Sequence, residues 1–223
     1  MLARRLLVGI DEVGRAASKA SLARTKYIVG IDEVGRGPLA GPVVVAAIMM
    51  PSDGIKKIAG LPPLRDSKKL SEKQREEWFR YLKEIKAQYA VARISPTVID
   101  RINITKAANL AASRALLRLI ATYYLPVSRL RIVLDGGLFL LLDVARKCGS
   151  VRTVVRGDER IPIISLASIV AKVTRDRYMK RLDRRFPQFG FAKHKGYGTR
   201  SHYRALKKQG PSPAHRLTFI NSY

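Results

Sequence analysis

Two adjacent carboxylates close the apolar run Tyr27 to Glu33 (YIVGIDE), and the stretch Val29 to Arg36, VGIDEVGR, is written once more upstream, from Val8 to Arg15. Two further apolar runs also end in acid. Leu130 to Leu134 is closed by Asp135, and Val151 to Val155 is followed by Gly157 and Asp158. Burying ionised carboxylates is costly unless something compensates them, and a divalent cation is the usual compensation. If the three run ends lie close together, Asp32, Glu33, Asp135 and Asp158 form one acidic cluster whose members cannot all stay ionised unaided. Carboxylate oxygens suit Mg²⁺ or Mn²⁺ and not zinc. Two such ions about 4 Å apart activate a water and stabilise the leaving oxygen of a phosphodiester. The sequence carries neither a Cys/His metal spacing nor a Walker-type phosphate loop.

The elements that must hold these acids follow from periodicity. Tyr27–Asp32 and Pro42–Met50 are rich in β-branched residues and read as strands. Ser71 with Gln74 three residues on has capping-box spacing and starts a helix running toward Lys86. A third strand alternates from Tyr89 to Ile94, and Ser95-Pro96 opens the next helix. Ala107–Ile120 is helical, and Leu130–Leu134 and Val151–Val155 are strands. A long helix runs from about Ile163 to Asp183 with Leu166, Ile169, Val170 and Val173 on its apolar face. A short helix from about Thr199 to Gln209 is stopped by Gly210. Hairpin-like strands followed by strand–helix alternation predict an α/β fold with a mixed sheet. Ligand sites in such sheets lie off the carboxyl ends of strands. Successive strand residues point to opposite faces, so Asp32 and Glu33 share a site only if the strand ends there and the backbone turns. Gly35 and Gly37 permit that turn.

Composition narrows the partner. Lys and Arg number 43 against 17 Asp and Glu, a formal charge of +26, and the basic residues are spread through helices and loops. That excess implies a polyanion, with nucleic acid as the default. At 47% hydrophobic residues the chain is globular, and no apolar run is long enough to span a bilayer. A signal-peptide reading of the N-terminus is rejected because Asp11 and Glu12 interrupt it. Cys148 is the lone cysteine, which fits a reducing cytoplasm. A monomer is expected. Among the remaining acids, Asp66 reads as a turn cap, Asp176 as a surface ion pair with neighbouring arginines, and Asp143 and Asp183 as helix-surface residues. His194 reads as a loop hydrogen-bonding residue. On residues alone two other readings stay open: a metal nuclease with another substrate, and a non-enzymatic basic nucleic-acid-binding protein.

Several separated motifs resemble the bacterial ribonuclease HII family, the type 2 ribonucleases H. They are GIDEVGRGPLAGPVVVAA (Gly30 to Ala47), DSKKLS (Asp66 to Ser71), Leu134-Asp135-Gly136, and Gly157-Asp158 followed by SLASIVAKVTRDR (Ser165 to Arg177). FPQFGFAKHKGYGT (Phe186 to Thr199) and His215-Arg216-Leu217 complete the series, which runs in order from Tyr27 to the end. The resemblance implies a ribonuclease H-like mixed β-sheet flanked by helices, with a small C-terminal helical segment. It also implies an endoribonuclease that cuts RNA–DNA hybrids and single ribonucleotides within duplex DNA. Asp32, Glu33, Asp135 and Asp158 match the family's metal-binding acids. Gly35, Arg36 and Gly37 match the loop that reads a ribose 2′-OH, the group by which a protein tells RNA from DNA. Tyr197 matches a tyrosine that packs on the following sugar, and Lys68, Lys172 and Arg175 are expected phosphate contacts. Gly137 departs from the asparagine that many members carry.

The two copies of VGIDEVGR differ downstream. The second continues as Gly37-Pro38-Leu39-Ala40-Gly41-Pro42, while the first has Ala16-Ala17-Ser18-Lys19. A methyl group at Ala16 restricts the loop and intrudes where a 2′-OH would approach, so Asp11 and Glu12 are expected to have no catalytic role. The expected organisation is an extension over 1–26, a catalytic domain over 27–186, and a substrate-binding loop and helix over 187–223.

Overall fold

The computed structural model describes residues 27–51, 64, 69–125 and 127–220. The extension with Asp11 and Glu12, and the segment with Asp66 and Lys68, lie outside them. Five strands form one mixed sheet: β1 (Tyr27–Val34), β2 (Val43–Pro51), β3 (Gln88–Ile94), β4 (Leu130–Asp135) and β5 (Ser150–Val154). Their spatial order is β3-β2-β1-β4-β5. The first three strands meander antiparallel, whereas β4 lies parallel to β1 and β5 parallel to β4. This is the mixed α/β sheet expected from the sequence.

Helices cover both faces. On one face lies α3 (Ile104–Tyr123), preceded by α2 (Pro96–Ile102). On the other lie α1 (Glu72–Glu84) and α6 (Pro162–Arg185). Alternate residues of β1 and β2 feed two separate cores, as the pleat requires. Val29, Ile31, Val43 and Val45 pack against the alanine-rich face of α3, while Ala46 and Ile48 meet Ile163, Ala167 and Val170 of α6. The anticipated apolar face of α6 is buried along its length: Leu166, Ile169, Val170 and Val173 are all within the core.

Local signals were good predictors of helix ends. Ser71 Oγ accepts from Gln74 N–H at 3.2 Å, and Gln74 Oε1 accepts from Ser71 N–H at 2.9 Å, closing the capping box. Thr199 caps α8 (Arg200–Gln209), which ends at Gly210. Ser95 sits at the N-cap of α2 but makes no side-chain capping bond; Pro96 alone marks that start. The short helices α4 (Leu142–Ala145), α5 (Gly157–Arg160), α7 (Phe191–His194) and α9 (Leu217–Ile220) complete the chain. Asp100 of α2 accepts from Leu217 and Thr218 N–H at 2.9 and 3.1 Å, and so ties α9 to the body. Among the described residues, no helix is long and apolar enough to cross a membrane.

A third, smaller core knits the C-terminal loops to the loop after β1. Leu39, Ala40, Met179, Leu182, Phe189, Phe191, Leu206 and Ala214 pack together. Leu39 N–H donates to Gly196 O, Gly41 N–H to Ala214 O, and Arg216 N–H to Leu39 O.

Candidate metal centre and its neighbouring loop

The parallel trio β1, β4 and β5 brings its carboxyl ends to one edge of the sheet. Pairing of β1 with β4 stops at Ile31 and Leu134, one residue before each acid, so Asp32 and Asp135 stand where the two strands part. Asp32, Glu33 and Asp135 each place a carboxylate oxygen within 4.8 Å of the others. Asp158 joins this edge through its backbone. Gly157 N–H donates to Asp135 Oδ1 at 2.6 Å, with Asp158 N–H 3.4 Å from the same oxygen. The Asp158 side chain is buried, but its carboxylate lies outside the three-acid group.

The strand does not end at Asp32, contrary to expectation; β1 continues through Glu33 to Val34, paired with β2. The acids converge by another route. The Asp32 carboxylate folds along the chain to accept from Glu33 N–H at 2.7 Å, so it leans toward the strand end where the longer Glu33 side chain reaches. The backbone turns only at Gly35, at φ 90°. Gly37 takes no positive φ, so the turn demands a glycine at 35 and not at 37.

The electrostatics of this group call for a cation. Asp32 is 3% exposed. Burial, then the neighbouring charge of Glu33 and more weakly Asp135, push its carboxyl well above the ordinary range, against the hydrogen bond from Ser168. Burial also raises Glu33, with Arg36 opposing and Asp135 adding to the rise. Glu33 Oε2 is buried without a hydrogen-bond partner. Such an orphan is costly in protein and normal in a metal ligand. Three carboxylates with an unsatisfied oxygen fit a hard divalent cation.

Beside the acids runs the loop of Gly35, Arg36 and Gly37. Arg36 Nη1 lies 3.4 Å from both Glu33 Oε1 and Gly137 O, and Nη2 lies 3.4 Å from Thr105 Oγ1 at the start of α3. Gly137 thus serves the site through its carbonyl. Tyr197, 43% exposed, faces Gly37: a Cβ built on Gly37 would lie 4.0 Å from Tyr197 Cε1. A methyl there would project into the gap between the two.

Two buried arginines hold this loop from beneath. Arg216 is fully buried; Nε donates to Gly41 O at 3.0 Å, Nη1 to Arg36 O at 2.8 Å and Nη2 to Gly35 O at 2.6 Å. Arg175 is also fully buried, and its three nitrogens donate to Pro42 O, Lys195 O and Ala40 O at 2.9–3.1 Å. The expectation that Arg175 contacts phosphate is therefore corrected. A guanidinium with no free surface and every nitrogen engaged on backbone carbonyls is a brace. Lys172 is partly exposed, one turn along α6 from Ser168, and pairs with Asp176 at 3.1 Å. Asp176 is buried between Lys172 and Arg75, not a surface partner of Arg175 and Arg177. Asp183 accepts from Ala192 N–H at 3.0 Å, and His194 makes the loop hydrogen bonds expected of it, to Phe189 O and from Gly196 N–H.

A family model described as Ribonuclease HII matches residues 29–222. The chain belongs to the ribonuclease HII family. It is 44% identical over 217 residues to a ribonuclease HII of Endomicrobium trichonymphae, covering 96% of this chain and 84% of that one. It is equally 44% identical over 214 residues to a ribonuclease HII of Shewanella sp. (strain MR-7), covering 96% and 87%. Its fold is similar to that of ribonuclease H2 from Pyrococcus horikoshii, with a TM-score of 0.67 at 27% identity, covering 86% of this chain and 93% of that one. The chain is accordingly a metal-dependent endoribonuclease, and among the described residues the acidic edge of its sheet carries a group of three acids that could hold a metal ion.

Arg216, Ser168 and the histidines His202 and His215 were not singled out as site residues from sequence. Arg216 stood in a matching motif without a role, and a buried arginine runs against the residue's usual surface preference. The histidines carry a testable consequence. Burial, then the charge of His202, push His215 down to about 4 from the ordinary value near 6.5. The unfolded chain takes up that proton near pH 6.5 and the folded chain only near 4. Stability from this site is complete above about pH 6.5 and is lost as the pH falls toward 4. Denaturant midpoints measured across that window for the wild type and His215→Gln should converge as the pH drops; parallel curves would contradict the assignment.

Proposed function

We propose that this ribonuclease HII cuts the RNA strand of RNA–DNA hybrids and nicks duplex DNA on the 5′ side of an embedded ribonucleotide. Water adds to the phosphorus, the bond to the preceding O3′ breaks, and a 3′-hydroxyl and a 5′-phosphate result. The observation that carries this reading is the adjacency of three converging carboxylates to a turn whose backbone faces an exposed tyrosine. Asp32, Glu33 and Asp135, with Asp158, would hold two Mg²⁺ or Mn²⁺ ions. Bound divalent ions supply an activated water and neutralise charge on the departing oxygen. The Gly35–Arg36–Gly37 turn offers backbone groups to the ribose 2′-OH, and Tyr197 packs on the next sugar. Arg36, tied to both Glu33 and Thr105, couples the turn to the acids. Lys172, and Lys68 from outside the described residues, are the remaining phosphate contacts in this reading, and the charge of +26 favours any duplex phosphate backbone.

A DNA duplex with one ribonucleotide, a matched all-DNA duplex and an RNA–DNA hybrid, each incubated with Mg²⁺, with Mn²⁺ or with chelator, test it together. The expected result is ion-dependent cutting immediately 5′ of the ribonucleotide, cutting of the hybrid, and an intact all-DNA duplex. Equal cutting of all-DNA, or binding without cutting under every condition, would refute it.

A further inference from the structure

All three histidines of the chain cluster together, in contact with the Tyr197 backbone through His202. His202 on α8 and His215 after it are buried, with ring nitrogens 3.0 Å apart (Nε2 to Nε2). His194 stacks on His202 at 4.4 Å, and Phe189 and Phe191 wall the rings with their edges. Backbone groups at the two ends dictate where the protons sit. Ser212 N–H can only donate, and it lies 2.9 Å from His215 Nδ1, so that nitrogen is bare. The Ser212 hydroxyl, 2.9 Å from the same nitrogen, can donate to it as well, and the Ser212 carbonyl is more distant at 3.3 Å and accepts His215's own N–H at 2.9 Å. At the far end Tyr197 O can only accept, and it lies 2.9 Å from His202 Nδ1, so that nitrogen carries hydrogen. A neutral imidazole has one N–H. His215 therefore carries its hydrogen on Nε2 and His202 has a bare Nε2. The middle bond runs from His215 to His202, and both ends require this same direction.

We propose that Ser212, His215 and His202 form a one-directional hydrogen-bond relay that positions Tyr197 opposite Gly37, making the two histidines specificity-determining residues that act through Tyr197. The relay is built for that peptide. Tyr197 N–H donates to His194 O at 2.9 Å, and its carbonyl also accepts from Thr199 N–H at 2.9 Å, so the backbone is held at both ends while the ring stays exposed. The same strap carries Gly196, whose carbonyl receives Leu39 N–H from the loop that includes Gly37. A shift at Tyr197 O thus moves one wall of the gap relative to the other. The inference rests on the reading of Tyr197 as a sugar contact, and its test separates the two.

Long-range ¹H–¹⁵N correlation spectra of the intact protein read the tautomers without any substrate. The expected result is hydrogen on Nδ1 of His202 and on Nε2 of His215; either opposite tautomer overturns the relay. Steady-state cutting of the single-ribonucleotide duplex gives the functional arm. His202→Phe, which keeps the ring shape and loses both nitrogens, should raise KM about tenfold, a larger effect than on kcat. His202→Asn restores a donor near the Nδ1 position and should recover most of that loss. Should His202→Phe not fold, His215→Phe replaces it, with the His202 tautomer released into a mixture as the expected signature. If Tyr197→Ala weakens binding and His202→Phe does not, the relay fails and the tyrosine reading stands. If Tyr197→Ala leaves KM unchanged, the tyrosine reading fails, and with it the specificity role of the histidines.

Discussion

Asp32→Asn should abolish ion-dependent cutting, by about 10³-fold or more, while Asp11→Asn leaves it intact. Both residues sit in identical octapeptides, so the difference must come from what surrounds them. Asp32 converges with Glu33 and Asp135 within 4.8 Å, and the neutral amide removes a charge that a divalent ion needs from a set already reduced by burial. The copies also diverge where the loop is most demanding. Position 14 keeps the glycine that the turn at Gly35 requires. The residue matching Gly41 is Ala20. Gly41 has φ 83°, and a Cβ there would come within 2.5 Å of Met179 Sδ. An alanine at such a point is both strained and blocked. The upstream copy is therefore expected not to substitute for this loop. Cutting assays on the two variants with Mn²⁺ and Mg²⁺ decide the matter, and activity surviving in Asp32→Asn would sink the assignment of the metal centre.

Arg216→Met should destabilise the protein by about 3 kcal/mol, lowering the melting temperature by about 10 °C. Two effects compete. Burial makes the guanidinium charge expensive, pushing Arg216 down to about 9, so its removal relieves a cost. Against that, the variant leaves the carbonyls of Gly35, Arg36 and Gly41 without the donors they now have, two of those bonds being buried and the third partly so. Each orphaned carbonyl costs about 1–3 kcal/mol, and three of them outweigh the relief. Lysine is no remedy, because a single ammonium cannot spread to three carbonyls as a planar fork does. Calorimetry or a denaturant titration of Arg216→Met and Arg216→Lys measures the loss. An unchanged midpoint in both would show that the carbonyls find other partners and that the brace is dispensable.

The strands, their acid tips and most helix ends were legible because they depend on neighbours in the chain. Alternating apolar residues, a serine with a glutamine three residues on, and a proline at a first turn act within a few residues of themselves. The acidic set was legible for the same reason, since apolar runs that end in carboxylate have few structural uses. The convergence of Asp32 with Glu33 was harder to foresee. The strand continues past both, and the bend of the Asp32 side chain, not a bend of the backbone, brings them together.

By itself the sequence determined the α/β class, the acids at the strand ends and the preference for a polyanion. Tertiary structure decided which arginines are braces. Arg175 has the charge and the helix position of a phosphate contact, yet it spends its guanidinium on three carbonyls, two of them more than 130 residues away. Arg216 reaches Gly35 across 181 residues. The pairing of β1 with β4, which sets Tyr27 beside Leu130, is likewise settled between distant segments. A carbonyl's need for a donor belongs to the space that the folded chain encloses around it, and that space does not exist until the strands and loops have met.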